Sequence, residues 1–182
     1  DLPTYVWPYK RAKLAAFRDD LGQAAPAPLA IDVARIVKLA RPVHVDEVFE
    51  RIMDAWHVSR AGRRISAVLT QAIDLAIQGG QIEPRGDFLW PIGLDKPIVR
   101  APDAGDEPRP IEHIAPEEIA EAALLCVSEA RSLSPADLAR ETAQLLGFAR
   151  NGPKIDEAVQ AAIEALRGSG RIAIEGEVVR PR

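Results

Sequence analysis

The stretch RAGRRISAVLTQAIDLAIQGGQI, Arg60–Ile82, decides the fold of this chain, because its pattern returns as RNGPKIDEAVQAAIEALRGSGRI at Arg150–Ile172. The two copies align without a gap when 90 is added to each residue number. Each copy has the pattern of a turn, a long amphipathic helix, a glycine stop and the start of a strand. The repeat predicts two similar small units rather than one large domain. The identical positions are Arg60, Gly62, Ile65, Ala72, Ile73, Gly80 and Ile82.

Length and composition agree with two small units. The 182 residues suffice for one large domain or two small ones. Cys126 is the only cysteine, so a disulfide within the chain is excluded and a reducing, cytoplasmic location is expected. No apolar run approaches the roughly 20 residues that a membrane span needs, and no signal-peptide pattern is present. Because the sequence starts at Asp1 rather than at methionine, we expect a fragment of a longer protein.

Apolar periodicity predicts three helices and a hairpin in the first unit. Helix one covers Leu29–Arg41 with Ile31, Ala34 and Val37 on its apolar stripe and Ile36 and Ala40 as further candidates for it, and Pro42 ends it. Helix two follows over 46–56, and helix three ends at Gly79 and Gly80. Two short strands, 81–83 and 87–90, flank Pro84-Arg85-Gly86 as a hairpin.

The second unit repeats this order. Its helices are predicted from Pro116, from Pro135 to Leu146 and from Pro153 to Arg167, and its hairpin runs from Arg171 to Val179. The predicted fold class is mainly α (α+β), with tandem winged helix-turn-helix domains of three helices plus a β-hairpin wing each. The predicted segments are 1–27, a connecting segment with a docking strand or the tail of a preceding domain over 1–9 and a short helix over Lys10–Leu21; 28–92, the first unit; 93–115, a linker rich in proline and acid; and 116–182, the second unit.

No constellation for chemistry is found in the sequence. A phosphate loop and a zinc spacing are both missing, and His44, His57 and His113 are scattered. Each histidine is interpreted as structural or solvated, and Cys126 as a buried apolar residue. We therefore expect no catalytic residue, no metal and no cofactor in this chain, and no enzyme activity of its own.

The candidate nucleic-acid-binding elements are the turn and helix three of the first unit. In a winged helix the N-terminal residues of the third helix meet bases or phosphates in the major groove. Arginines would contact phosphate, while hydroxyl and amide groups would bond to base edges, and Arg85 at the hairpin would reach a phosphate. The candidate DNA-binding residues are Arg60, Arg63, Arg64, Ser66, Thr70, Gln71 and Arg85.

Charge distribution keeps a protein-binding alternative open. The net charge is −4, and residues 31–92 carry eight basic and eight acidic residues. The arginines at the turn could instead cap helix two or pair with its acids, Asp46, Glu47, Glu50 and Asp54. In the second unit, Asp156, Glu157 and Glu164 would repel phosphate. That unit is predicted to be a spacer or a protein-docking unit, and the alternative function is docking or dimerisation without DNA contact.

Several runs resemble a known family. The most specific are Pro42-Val43-His44 with Asp46-Glu47, Ser59-Arg60-Ala61-Gly62, and Gly86-Asp87-Phe88-Leu89-Trp90-Pro91. They resemble the C-terminal domain of unknown function of large bacterial superfamily 1 helicase-like proteins, which often carry a restriction-endonuclease-like domain upstream. The resemblance spans roughly residues 28–172 and includes LLGFARNGPKI in the second copy. His57 departs from it, since glycine is expected there.

The resemblance implies a parent protein that hydrolyses ATP and acts on nucleic acid. It supplies no site residues for this domain. The expected function is a non-catalytic accessory module that contacts duplex or forked DNA, with the other domains of the parent as further partners.

Overall fold

The computed structural model describes residues 6–103 and 105–182 of the chain. Over these residues the fold is mixed α/β, with six α-helices and small β-sheets. None of the described helices is both long and apolar enough to span a membrane. The helices are α1 (Pro26–Ala40), α2 (Val45–Ala55), α3 (Arg63–Gln78), α4 (Pro116–Ala130), α5 (Pro135–Leu145) and α6 (Pro153–Gly168).

The strands are short and form three small sheets within the described residues. Strand β1 pairs with β5 in parallel, β2, β4 and β3 form an antiparallel sheet in that order, and β6 pairs with β7 as an antiparallel hairpin. The strands are β1 (Trp7–Pro8), β2 (Val43–His44), β3 (Ile82–Arg85), β4 (Phe88–Pro91), β5 (Arg100–Ala101), β6 (Ile172–Glu175) and β7 (Val178–Pro181).

The chain divides into two compact units. The first unit is Lys10–Asp95, and the second is Lys96–Arg182 together with the described part of Asp1–Tyr9. Every helix of the first unit has a counterpart 90 residues later, and so do the strands of its hairpin. The repeat seen in helix three therefore extends over helices, hairpin and helix caps. At matching positions, His44 accepts a hydrogen bond as N-cap of α2 and Ser134 does so for α5.

The first unit has a core built from all three of its helices. Leu69, Ala72, Ile73 and Ala76 of α3 are buried, as the three-and-four spacing of this helix predicts. Gly80, at φ 64°, lies in the left-handed region just after α3, where a residue with a side chain is strained.

The apolar stripe of α1 is rotated relative to the prediction. Ile31 is 61% exposed, whereas Val33 and Ile36 are fully buried. The stripe predicted through Ile31 and Ala34 is therefore wrong on its first member. A helix of ordinary apolar content offers more than one three-and-four stripe, and packing against α3 selects the one through Leu29 and Val33.

The N-terminal part of the first unit also differs from the prediction. A short helix was expected from Lys10 to Leu21, but residues 10–20 are irregular and only a 3₁₀ turn, Leu21–Gln23, follows. The backbone N–H of Phe17 donates to the carbonyl oxygen of Ala55 at 2.9 Å. The ring of Phe17 stacks on that of Trp56 with 4.7 Å between centroids. Tertiary contacts with the end of α2 have replaced the local helix.

The segment predicted as a linker, 93–115, contributes to the core of the second unit. Val99, Ile111 and Ile114 are buried there, and β5 pairs with the N-terminal strand β1. The predicted docking strand thus has its partner within the chain, although residues 1–5 of that stretch lie outside the described residues. Proline and acid content suggested a surface linker, but buried apolar residues at wide spacing hold it in place.

The turn between α2 and α3 places His57 in the left-handed region at φ 55°, where the second unit has Gly147. A side chain there costs about 1–2 kcal/mol, partly offset by the greater entropy of glycine in the unfolded chain. We expect His57→Gly to raise the free energy of unfolding by about 0.5–1 kcal/mol in urea denaturation. His57→Ala keeps the Cβ and should bring no such gain. An equal gain from both variants would show that the imidazole, not the backbone, carries the strain.

Candidate nucleic-acid interface

The N-terminus of α3 carries an exposed arginine cluster, formed by Arg60, Arg63 and Arg64. Gly62 is the N-cap and makes no side-chain hydrogen bond, and no acidic residue occupies the first turn. The free N–H groups and the helix dipole already make this end positive, and two arginines in the first turn add to that charge. The N-terminal end of α3 therefore favours the binding of an anion.

These arginines are not paired with the acids of α2. Glu47 has Arg51 of its own helix as ion-pair partner, and both side chains are buried. Within the described residues, no carboxylate lies within ion-pair distance of Arg60, Arg63 or Arg64. The nearest electrostatic influence is that of Arg64 on Asp20. Hydrogen bonds from Gln23 and from the N–H of Gly22 lower the pKa of that carboxyl, and Arg64 adds a weaker effect.

The polar residues predicted to read bases follow along α3. Thr70 and Gln71 are exposed, while Ser66 is half-buried and its backbone N–H closes the first turn on the carbonyl oxygen of Gly62 at 3.0 Å. Asp74 is exposed one turn beyond Thr70. The basic and polar surface is therefore limited to the N-terminal half of α3.

Arg85 lies elsewhere than predicted. It is the last residue of β3 rather than the tip of the hairpin, which Gly86 and Asp87 form. Its Nε donates to the carboxylate of Glu83 at 2.9 Å and its Nη2 to the carbonyl oxygen of Leu94 at 3.2 Å. Its guanidinium carbon lies 4.1 Å from the centre of the Trp90 ring. These contacts indicate that Arg85 stabilises the hairpin. Arg85 is not part of the exposed arginine cluster.

The second unit has a different surface at the same place. Pro153 and Lys154 replace Arg63 and Arg64, and Lys154 is paired with Glu112. Their hydrogen bond lowers the pKa of Glu112 and raises the pKa of Lys154. Asp156 occupies the first turn of α6. The predicted contrast between the two exposed faces is present in the structure.

The remaining titratable candidates have structural surroundings. Nδ1 of His44 accepts the N–H of Asp46 at 3.1 Å, and His57 is part of the turn before α3. Cys126 is buried, as predicted, and burial raises the pKa of its thiol to about 11, with a hydrogen bond to Thr142 opposing that rise. A thiol with that pKa stays protonated at neutral pH.

Sequence reasoning missed a second group of basic residues in the first unit. Arg35 and Lys38 project from α1, and Arg41 follows at its end. Their spacing of three along one helix was a usable signal.

A comparison with family models finds one match in this chain. A model described as "Protein of unknown function (DUF3320)" matches residues 19–67. The match covers α1, β2, α2 and the beginning of α3, including the arginine cluster. Residues 19–67 are therefore similar to a domain of unknown function, in agreement with that part of the resemblance, and the helicase-like parent stays a prediction. No curated protein and no solved structure matches the chain.

Proposed function

We propose that the chain is a pair of winged helix-turn-helix units, of which the first contacts duplex or forked DNA through the N-terminus of α3. Each unit has three helices followed by an antiparallel hairpin, and β2 adds a third strand to the hairpin of the first unit. In the second unit Leu133 and Val179 exchange two backbone hydrogen bonds at the equivalent place, at 3.1 and 2.8 Å. This order of elements supports the winged-helix assignment.

The exposed arginine cluster carries the proposal. A positive side chain at the positive end of a helix dipole costs about 0.3–1 kcal/mol, so Arg63 and Arg64 oppose the stability of α3. A phosphate bound there reverses that cost, because it accepts hydrogen bonds from the arginines and from the free backbone N–H groups together. Thr70 and Gln71 then lie along the same helix at positions that base edges would meet.

The proposed module has no catalytic role and works within a larger cytoplasmic, ATP-dependent helicase-like protein. This part of the proposal is supported by the family resemblance. The other domains of that parent are its expected protein partners.

The acidic face of α6 favours a different role for the second unit. Asp156, Glu157 and Glu164 are exposed on the helix that matches α3. Negative charge repels phosphate and suits a basic protein surface. We propose that the second unit docks to protein, within the parent or in a dimer, and leaves DNA contact to the first unit.

The test is DNA binding by the whole chain, with Arg63→Glu/Arg64→Glu as the variant. We expect fluorescein-labelled duplex or forked DNA of about 20 base pairs to bind at low salt, and the variant to raise the Kd at least about tenfold. The reason is that phosphate attraction supplies most of the affinity and two charges are reversed. Fluorescence anisotropy gives both Kd values, and circular dichroism confirms that the variant is folded.

The matched control is Lys13→Glu/Arg18→Glu, which makes the same charge change at two exposed residues of the same unit. It should change the Kd by less than about threefold, because charges away from the binding site contribute only a weak, nonspecific attraction to DNA. Absence of binding at tens of micromolar, or equal losses in both double variants, would refute a site at the N-terminus of α3.

A further inference from the structure

A groove of about 760 Å³ lies in the first unit between α1 and the end of the hairpin. It is lined by Ala34, Arg35, Lys38, Arg41, Gln81, Pro91, Ile92, Gly93 and Leu94. The lining contains three positive side chains and no carboxylate. It also contains Ile92, which is 54% exposed. We call this surface the basic groove.

The positive side of the basic groove is partly preorganised. Arg41 ends α1 in the left-handed region at φ 50°, and its Nε donates to the carbonyl oxygen of Lys38 at 2.8 Å. This bond fixes the guanidinium of Arg41 against the last turn of α1. Arg35 lies one turn before and has Asp32 of the same helix 3.6 Å from its Nη1. Arg35 is the exposed member of this long pair and Asp32 is half-buried, and Arg35 is thus available to a second anion.

The apolar side of the basic groove is formed by the chain that leaves β4. Pro91, Ile92 and Leu94 line this side, and the N–H of Leu94 donates a hydrogen bond to the carbonyl oxygen of Pro91 at 3.3 Å. The turn that results holds the side chain of Ile92 exposed. An exposed large apolar side chain next to fixed cations suits an occupant that has both an apolar group and negative charge.

The second unit shows that the fold does not require this surface. Leu125 stands where the first unit has Arg35, and Ser128 where it has Lys38. Arg171 matches Gln81, and it forms an ion pair with Glu121 of α4. The second unit thus keeps only one of the three cations, Arg131 at the position of Arg41, whereas the first unit leaves all three beside exposed apolar surface.

We infer that the basic groove binds an acidic peptide segment that carries a bulky apolar residue. The cations of α1 would bind the carboxylates, and Ile92 with Leu94 would contact the apolar residue. The groove is distant from the arginine cluster, because Gln81 follows the C-terminal end of α3 and this helix of 16 residues is about 24 Å long. The apolar side distinguishes it from a phosphate-binding surface. The inference is independent of DNA binding by the first unit.

The probe is a fluorescein-labelled peptide, EDELWDED, titrated with the whole chain in fluorescence anisotropy. We expect binding that weakens as salt is raised, and a Kd at least about tenfold higher for Arg35→Glu/Lys38→Glu. Ile92→Ala should raise the Kd severalfold, and this loss of peptide affinity should not depend on the salt concentration. The neutral peptide QNQLWQNQ should bind at least about tenfold more weakly than the acidic probe.

Two controls separate the outcomes. Lys13→Glu/Arg18→Glu makes the same charge change outside the groove, and Arg63→Glu/Arg64→Glu makes it at the arginine cluster, so both should leave peptide binding within about threefold. Equal binding of the acidic and neutral peptides would overturn the inference, as would unchanged binding by Arg35→Glu/Lys38→Glu. If that variant loses duplex DNA and the peptide does not bind, the groove belongs to a nucleic-acid surface and the inference is wrong.

Discussion

Replacing Glu118 with alanine is expected to lower the free energy of unfolding by about 3–5 kcal/mol, the cost of removing one member of a buried ion-pair cluster. Glu118 is fully buried in the first turn of α4, and its carboxylate lies between Arg100 and Arg109. The Nη2 of Arg109 donates to it at 2.7 Å, and the backbone N–H of Arg100 at 3.0 Å. Urea denaturation followed by circular dichroism measures the loss without screening the ion pairs.

The cluster has this large effect because it holds a segment with little regular structure besides strand β5. Arg109 also donates to the carbonyl oxygen of Arg100 at 3.0 Å and lies 4.3 Å from the ring centre of Tyr9. One carboxylate thereby ties the N-terminal strand and the segment 99–110 to α4. Without Glu118, two buried guanidinium groups lose the carboxylate that they share.

The matched control is Glu117→Ala. Glu117 is the exposed neighbour in the same helical turn, so its loss removes a similar dipole interaction and no buried pair. We expect it to cost less than about 1 kcal/mol. Equal losses from the two variants would show that the helix dipole, not the buried cluster, accounts for the effect of Glu118→Ala.

The pH dependence gives a second measure of the same cluster. Burial by itself raises the pKa of Glu118, but the charges of Arg109 and Arg100 and the hydrogen bonds they donate hold that pKa below its ordinary value. A carboxyl with a lowered folded pKa contributes stability above its unfolded pKa of about 4.3, and this is lost as pH falls through the folded pKa. The difference in free energy of unfolding between wild type and Glu118→Ala should therefore become smaller below about pH 4.

Gly147→Ala is the second substitution with a large expected effect, a loss of about 2–5 kcal/mol. Gly147 has φ 98°, which strains any residue with a Cβ. A Cβ there would lie 2.5 Å from Cγ and 2.7 Å from Cδ of Pro102, and 3.2 Å from Cβ of Pro108. The atoms of Pro102 belong to a ring fused to the backbone, so they cannot turn aside like the end of a flexible side chain.

Gly176→Ala is the control for the conformational part of that loss. Gly176 has φ 63° in the hairpin of the second unit, and a Cβ there meets nothing within 4 Å. It should cost about 1–2 kcal/mol in urea denaturation. If Gly147→Ala costs no more than this, Pro102 and Pro108 are free to move and do not pack against Gly147 as described.

The two sites are connected through the same segment. Pro102 follows Arg100 by two residues, and Pro108 directly precedes Arg109, so the buried cluster fixes the prolines that crowd Gly147. Neighbouring sites of this kind couple, and we expect the loss in Glu118→Ala/Gly147→Ala to be smaller than the sum of the single losses.

Regular elements were predictable from the sequence because their signals are local. The three-and-four spacing of α3, the glycines after it and the Ser134-Pro135 helix start each depend on residues within one or two turns. The 90-residue repeat then transferred the clearer boundaries of the second unit to the first. The exposed arginine cluster at the start of α3 was predictable for the same reason, since it follows once the helix begins at Arg63.

Contacts between distant residues were not predictable. Packing against α3 determines which face of α1 is buried, and Ile31 lies outside that face. Arg85 was predicted at a hairpin tip, but Leu94 and Trp90, several residues further along the chain, determine its contacts. Helix periodicity and capping are properties of neighbouring residues, whereas the pairing of Arg100 and Arg109 with Glu118 needs the packed second unit. For that reason the repeat and its two unlike α3 and α6 surfaces follow from the residues alone, and the buried cluster and the basic groove follow only from packing.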